Sequence, residues 1–385
     1  MTDLLLVGER DEALLNIQRF VGAREPDWSI LHSVNGSGAL AQLKNRTSDI
    51  VLARLGDVDE CESLFSEVGS TTPGAIRLAL SESPAVRVKG AHQILAGGAD
   101  LGDLHMSLRA AAKVSSHSSQ HKKLQRIISR FQEVPSPPVL YFDIREQLDS
   151  AAGTAAKMAE IAGRDPALVA RTLKIANSGF YARPGTVGDL ADAITLMGAE
   201  TLLGLVLAAH LFSGMPPPGL RLDMLWNHSF EVSMLARAIC RLEEGSSANA
   251  SHSFLAGLLH DIGLIVLFQN ESATYQPMWA DCAGDESELA RLERENFGIS
   301  HGELGSMVLT LWNLPDPVVD AVAASHAESF NEPLTIVSRS VLAAEWLLSR
   351  NGSPEPDALP PALGEVSRES LASWIEARDG LAAQG

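Results

Sequence analysis

The dipeptide His260-Asp261, set in Ala256-Gly257-Leu258-Leu259-His260-Asp261-Ile262-Gly263, places an imidazole beside a carboxylate behind an apolar run. Both side chains are ligands for a divalent cation, and together they suit Zn, Mn, Fe or Mg in different proportions. The run Ser253-Phe254-Leu255-Ala256-Gly257-Leu258-Leu259 reads as a buried helix, which puts the pair where solvent is scarce. A His-Asp dipeptide is common by chance. Three further histidines in helical stretches give this one weight: His228 upstream, then His301 and His326 downstream.

The elements that must position these groups fall into two sets. A length of 385 residues implies two or three domains, and a hydrophobic fraction of 45% is ample for packed cores. Residues 1–115 alternate strand and helix signals. Apolar runs at Leu4–Val7, Trp28–Leu31, Asp49–Leu55, Ala75–Leu80 and His92–Leu95 predict five strands, with helices such as Glu12–Val21 and Gly38–Lys44 between them. This is the pattern of a small doubly wound, flavodoxin-like α/β domain. Residues 116–125 are Ser-rich and read as a linker.

From residue 126 to 350 the periodicity is helical throughout, so an all-α domain is expected. Asp165-Pro166 is a helix start, and Trp226–Leu242, Phe254–Phe268, Glu286–Phe297, Gly302–Leu311, Pro317–Ser325 and Leu334–Ser349 are predicted helices. Pro354, Pro356, Pro360 and Pro361 begin a final segment, 351–385, in which Leu363–Ala377 suits one amphipathic helix.

Charge and cysteine usage narrow the function classes. The net charge is −18, of which −2 falls in residues 1–125 and −16 in the rest. A phosphate backbone is repelled by that second part, no basic patch relieves it, and direct nucleic-acid binding is not expected. The one helix-turn-helix candidate, Asp165–Gly198, carries Asp189 and Asp192 where a recognition helix needs bases. Cys61, Cys240 and Cys282 are far apart and form no metal or disulfide framework. Met1–Val7 lacks a basic region and reads as a strand, and no apolar run reaches the length of a membrane span. A cytoplasmic protein is expected.

The N-terminal region resembles the receiver domain of two-component response regulators. That resemblance implies an acidic pair after the first strand for Mg²⁺, a phosphoryl-accepting Asp at the end of the third, a Ser or Thr after the fourth and a Lys after the fifth. Here the first strand is followed by Gly8-Glu9-Arg10, Arg54 stands in the acceptor's place, Ser81 fits the hydroxyl position, and Gly97-Gly98 replaces Lys-Pro. A guanidinium cannot accept a phosphoryl group and opposes metal binding. The region reads as a pseudo-receiver whose task is interaction or pairing, and a homodimer is expected.

The helical region resembles the HD-related output domain, HDOD. The matching segments are Pro135-Ser136-Pro137-Pro138-Val139-Leu140, Asp165-Pro166-Ala167-Leu168, Leu173 through Tyr181, Ala193 through Gly198, Leu225-Trp226-Asn227-His228-Ser229, Ala256 through Gly263, and His301-Gly302-Glu303-Leu304-Gly305. The resemblance implies an all-helical fold related to HD phosphohydrolases, and a regulatory rather than catalytic task carried out through contacts with signalling proteins. In HD phosphohydrolases the ligands run His, His-Asp, then a late acid, which carries over to His228, His260, Asp261 and Glu345. Two-metal phosphodiesterases of the HD-GYP type add histidines, and His301 and His326 occupy similar places. Such a site clamps a phosphodiester and activates water.

Three departures speak against turnover. Ser325-His326 stands where those enzymes have paired histidines, Leu264 replaces the basic residue after the His-Asp motif, and Glu328–Pro333 lacks the Gly-Tyr-Pro loop. Three readings of the six residues therefore stay open: a buried hydrogen-bond network fixing helix packing, a divalent metal without turnover, and a metal-dependent phosphohydrolase. The expected protein is a non-catalytic signalling module tuned by a metal or nucleotide ligand. Its catalytic set is empty, and its alternative identity is a hydrolase of the HD superfamily.

Overall fold

The structure, a computed structural model, describes residues 2–82, 87–118, 127–131, 134–178, 181, 185–212, 216–217, 219–243, 246–282, 284–327, 333–349 and 359–382. Its first part is a five-stranded parallel sheet of order β2-β1-β3-β4-β5, built from β1 (Asp3–Val7), β2 (Ser29–Ser33), β3 (Ile50–Ala53), β4 (Ile76–Ser81) and β5 (Gln93–Ala96). The central strands read as continuous apolar runs because both faces are covered. Leu4, Leu5, Leu6 and Val7 are all fully buried. Helices α1 (Glu12–Arg24), α2 (Gly36–Leu43), α3 (Val58–Thr71) and α4 (Leu101–Ser118) supply the cover, and Asp11, Asn35 and Asp57 cap the first three.

At the carboxyl ends of the strands, Arg54 follows β3 and pairs with Asp11 and with Glu82, the latter at 2.9 Å. The guanidinium thus stands ion-paired at the strand ends. This protein is expected to gain no mass on incubation with acetyl phosphate and Mg²⁺. A stable phosphoryl adduct on any aspartate of residues 1–115, seen by intact-mass analysis, would overturn the pseudo-receiver reading.

Helix α4 runs through residues 116–118, so the Ser-rich stretch begins as a continuation of that helix; residues 119–126 lie outside the described set. Serine at these positions does not stop a helix whose apolar face is already docked. That face, Leu104, Leu108, Ala111 and Val114, belongs to one apolar cluster with Leu304, Val308 and Leu311 of the helical part. Beneath it lies a polar clamp. Arg77 on β4 is buried and donates to the carbonyls of Ser129 (3.2 Å), Ile128 (3.2 Å) and Phe131 (3.1 Å) at the end of a helical turn at 127–130. His92 accepts the Arg77 backbone N–H at Nδ1 and faces the Ile128 carbonyl with Nε2. Burial, then the neighbouring Arg77, holds the His92 imidazole well below its usual range and hence neutral. Lys113–Asp316 (2.8 Å) pairs across the same seam, and Arg130–Glu271 (2.7 Å) ties the 127–130 turn to the end of the helix Ile262–Asn270.

The second part is all helical: α5 (Val139–Asp149), α6 (Ala155–Ala162), α7 (Pro166–Ala176), α8 (Leu190–Met197), α9 (Ala199–Leu211), α10 (Leu222–Glu243), α11 (Ser247–Leu259), α12 (Ile262–Asn270), α13 (Ser272–Cys282), α14 (Glu286–Asn296), α15 (His301–Leu311), α16 (Asp316–Ala324), α17 (Ile336–Leu348) and α18 (Arg368–Ala382). Asp165 caps α7 with Pro166 in the first turn, as its sequence predicts. The last helix begins five residues later than expected and extends to Ala382. Its Leu371 and Trp374 are buried, and the Trp374 indole donates to Glu243 on α10 at 3.1 Å.

The single helix expected over Phe254–Phe268 is instead two, α11 and α12, broken at His260-Asp261. The span Ser247–Asn270 is long and apolar enough by composition to cross a membrane, which corrects the expectation that no such run exists. Of its most apolar 18-residue window 89% is buried within the protein, as in a core helix pair.

Candidate metal centre

Six helices converge on the break. His260 ends α11 and Asp261 begins α12, so both side chains leave the backbone where it turns. Two glycines make this packing close enough. A Cβ on Gly257 would lie 2.7 Å from the Ser233 Cα of α10, and one on Gly263 would lie 1.9 Å from the His301 carbonyl oxygen. Helix α10 carries His228, one turn and a residue before Ser233. Helix α15 opens on His301, fixed by a capping box between Ser300 and Glu303. His326 follows α16, and Glu345 sits on α17.

The imidazole Nε2 atoms point inward at two carboxylates. His228 and His260 lie 3.1 and 3.2 Å from Glu345, and 3.7 and 3.3 Å from Asp261. His301 and His326 approach the same Asp261 at 3.7 and 3.3 Å. Two half-sites result, His228/His260/Asp261/Glu345 and Asp261/His301/His326, with Asp261 common to both. All six predicted ligands are brought together.

Three rings are held from behind. His260 Nδ1 donates to the Gly257 carbonyl at 2.7 Å, His301 Nδ1 to Glu293 at 2.8 Å, and His326 Nδ1 to Glu286 at 2.7 Å. Each bond fixes the proton on Nδ1 and leaves Nε2 as the inward-facing nitrogen, the arrangement by which outer partners orient metal-binding imidazoles. Glu293 is itself held by the Tyr275 hydroxyl of α13 and by the His301 backbone N–H. Glu286, Glu293 and Tyr275 are absent from the sequence-based set. The only hint was an acid-rich helix just upstream of His301.

A hydrogen-bond network accounts for part of the centre, through the three Nδ1 contacts and His326 Nε2 to Asp261 at 3.3 Å. His228 Nε2, His260 Nε2, His301 Nε2 and both oxygens of Glu345 are buried without a hydrogen bond among the described residues, although they are close enough in distance to make one. Leaving so many polar atoms unmatched in a core is costly, at about 1–3 kcal/mol each. A shared cation would satisfy them together, and the donor set of four imidazoles and two carboxylates fits a first-row divalent ion.

Electrostatics agree. Burial opposes ionisation of Asp261 and Glu345, yet the surrounding imidazoles outweigh it and hold both carboxyls well below the usual range. Burial also lowers the basicity of His228, but Glu345 and then Asp261 push it up to about 10. His326 is likewise raised by Glu286 and Asp261 against its burial. Without metal the centre stores protons that a cation must displace. Ser325 takes no part: its hydroxyl is buried and donates to the Val322 carbonyl at 2.9 Å.

Comparison with known proteins places the helical part in a family. The family model of the HDOD domain matches residues 134–328. A protein of undetermined function from Treponema pallidum (strain Nichols) is 22% identical over 204 residues, covering 52% of this chain but only 39% of that protein's length. The structure of an HDOD domain protein from Geobacter sulfurreducens is similar with a TM-score of 0.51 at 23% identity, over 67% of this chain and 88% of that one. One from Marinobacter aquaeolei VT8, provisionally named a signal transduction protein, gives 0.50 at 18% identity, over 72% and 66%. At such identities the structural likeness is one of fold. This chain belongs to the HDOD domain family, carrying its HDOD domain behind a receiver-like α/β domain.

Proposed function

We propose that this protein is a signalling module whose HDOD domain holds a divalent metal without hydrolysing a phosphoester, and which acts through contacts with other proteins. The observation that carries the reading is the inward convergence of unbonded Nε2 atoms on Asp261 and Glu345. His228, His260, Asp261 and Glu345 would hold one ion, with Asp261, His301 and His326 available to a second. The metal would lock α10, α11, α12, α15 and α17 to one another, giving a rigid surface for a partner. Mn, Fe, Zn and Mg remain the candidate ions.

Charge favours the non-hydrolytic form. Among the described residues no Lys or Arg pairs with any carboxylate of the centre. Leu264 is buried where a basic residue would be useful, and Ser325 supplies no ligand. The metal-loaded protein is expected to cleave none of a panel of cyclic dinucleotides, nucleotides and simple phosphodiesters. Metal-dependent turnover that vanishes in Asp261→Ala would establish the HD-hydrolase reading in its place.

The receiver-like domain enters this reading as an unphosphorylated docking domain of a cytoplasmic homodimer. The inner face of α4 is already spent on the HDOD domain, so pairing must use another face of the sheet domain. Light scattering of the full chain at micromolar concentration should give twice the monomer mass, and a monomer would end the pairing proposal.

A further inference from the structure

Solvent reaches the centre from one side only. The side chains of His228 and Glu286 are 30% and 28% exposed, whereas Asp261, His260, His301, His326 and Glu345 are at most 5% exposed. Glu286 therefore stands at the mouth. It is the first residue of α14, behind the cap Asp285, where the end of a helix can shift with little loss of packing. One of its oxygens accepts from His326 Nδ1 at 2.7 Å. Its carboxylate also offers a ligand atom that lies within 4.8 Å of ligand atoms of His228 and Glu345, forming a third metal-capable trio. Both Glu345 oxygens and His228 Nε2 are buried without a hydrogen bond.

We infer that Glu286 is a removable closing ligand: it occupies the solvent-side coordination position of the ion held by His228 and Glu345 and excludes water and small oxyanions from it. The inference rests on the metal reading above and adds a reason for the lack of turnover. A hydrolytic metal keeps one position open for water, whereas a structural one is filled by protein. Here the filling group is the carboxylate at the exposed first turn of α14, and its withdrawal would expose the ion while releasing His326. A phosphate or carboxylate group on a partner or small molecule is the chemistry that could replace it.

Full-length protein loaded with Mn²⁺ tests this through water-proton relaxivity per bound ion, with bound Mn²⁺ measured separately by equilibrium dialysis. Wild type should show low relaxivity, and inorganic phosphate should leave it unchanged. Glu286→Ala should raise relaxivity about twofold as water enters the vacated position, and phosphate should then lower it. Glu286→Gln, which can still accept from His326, should behave like the alanine variant while melting like wild type. If Glu286 merely orients His326, both variants bind Mn²⁺ more weakly at unchanged relaxivity, and the inference is wrong while the metal reading stands. If wild type binds no Mn²⁺ by dialysis, both fall together.

Discussion

Asp261→Ala should abolish metal-dependent stabilisation of the full chain. Asp261 is the one carboxylate common to both half-sites; the trio that forms without it, His228/Glu286/Glu345, is expected to hold the ion too weakly alone to stabilise the fold. In wild type, addition of Mn²⁺ or Zn²⁺ at a hundred times its dissociation constant should stabilise the folded form by about 2.7 kcal/mol, because the ion binds only where the ligands are assembled. The variant should show no such gain. It should also be weaker than metal-free wild type by about 1–3 kcal/mol, since His260, His301 and His326 lose the carboxylate they face. Thermal melts with and without EDTA separate the two effects. Equal metal-induced shifts in wild type and variant would show that the ion binds elsewhere.

The second large effect is expected far from the centre. Arg77→Ala removes a buried cation that three backbone carbonyls share. Hydrogen bonds to a charged group contribute about 1.5–3 kcal/mol each, and unsatisfied buried acceptors add to the loss, so a drop of about 3 kcal/mol or more is expected. The clamp lies between the two domains. Loss should therefore show as faster proteolytic cleavage near residues 119–131 as well as a lower denaturant midpoint. Helix α15 docks the receiver-like domain with Leu304, Val308 and Leu311 and also begins with His301. Loosening the seam should accordingly weaken metal binding in Arg77→Ala. A variant with wild-type stability and wild-type cleavage would mean that the seam is held by its apolar contacts alone.

Much of this architecture is legible in the amino-acid sequence, for reasons that differ by element. The sheet shows as continuous apolar runs because it is covered on both faces, and Asp165-Pro166 announces a helix start through capping chemistry. The candidate ligands His228, His260 and Asp261 are visible because the motif carries them, and Glu345 because it is the nearest late acid. The helix break at His260-Asp261 is not visible, since no Gly or Pro stands at the break itself; the glycines that matter, Gly257 and Gly263, act through the approach of α10 and α15. Glu286 and Glu293 are equally hidden. Both sit on a strongly polar helix that looks solvent-facing, and only the packing of α14 against the centre turns them inward. Arg77 is a lone charge within an apolar strand, and besides His92 its partners are backbone carbonyls, which no residue type reveals.

Metal retention as a function of pH reaches the heart of the proposal. Protein stripped with chelator, reloaded with Mn²⁺ or Zn²⁺ and passed through a desalting column can be assayed for bound metal between pH 6 and 9. A cation competes with the protons held by His228 and His326, so retention should rise with pH, and Asp261→Ala should retain none at any pH. The metal-free protein should move the other way. The His228 value of about 10 lies above the ordinary imidazole 6.5, so its stabilisation is complete below 6.5 and is lost as pH climbs toward 10. The expected result is therefore metal bound to wild type at pH 8, lost on acidification, with the chelated protein melting at progressively lower temperature as pH rises. Wild type that keeps no more metal than Asp261→Ala across the whole range would contradict the metal centre and return these residues to a purely structural role.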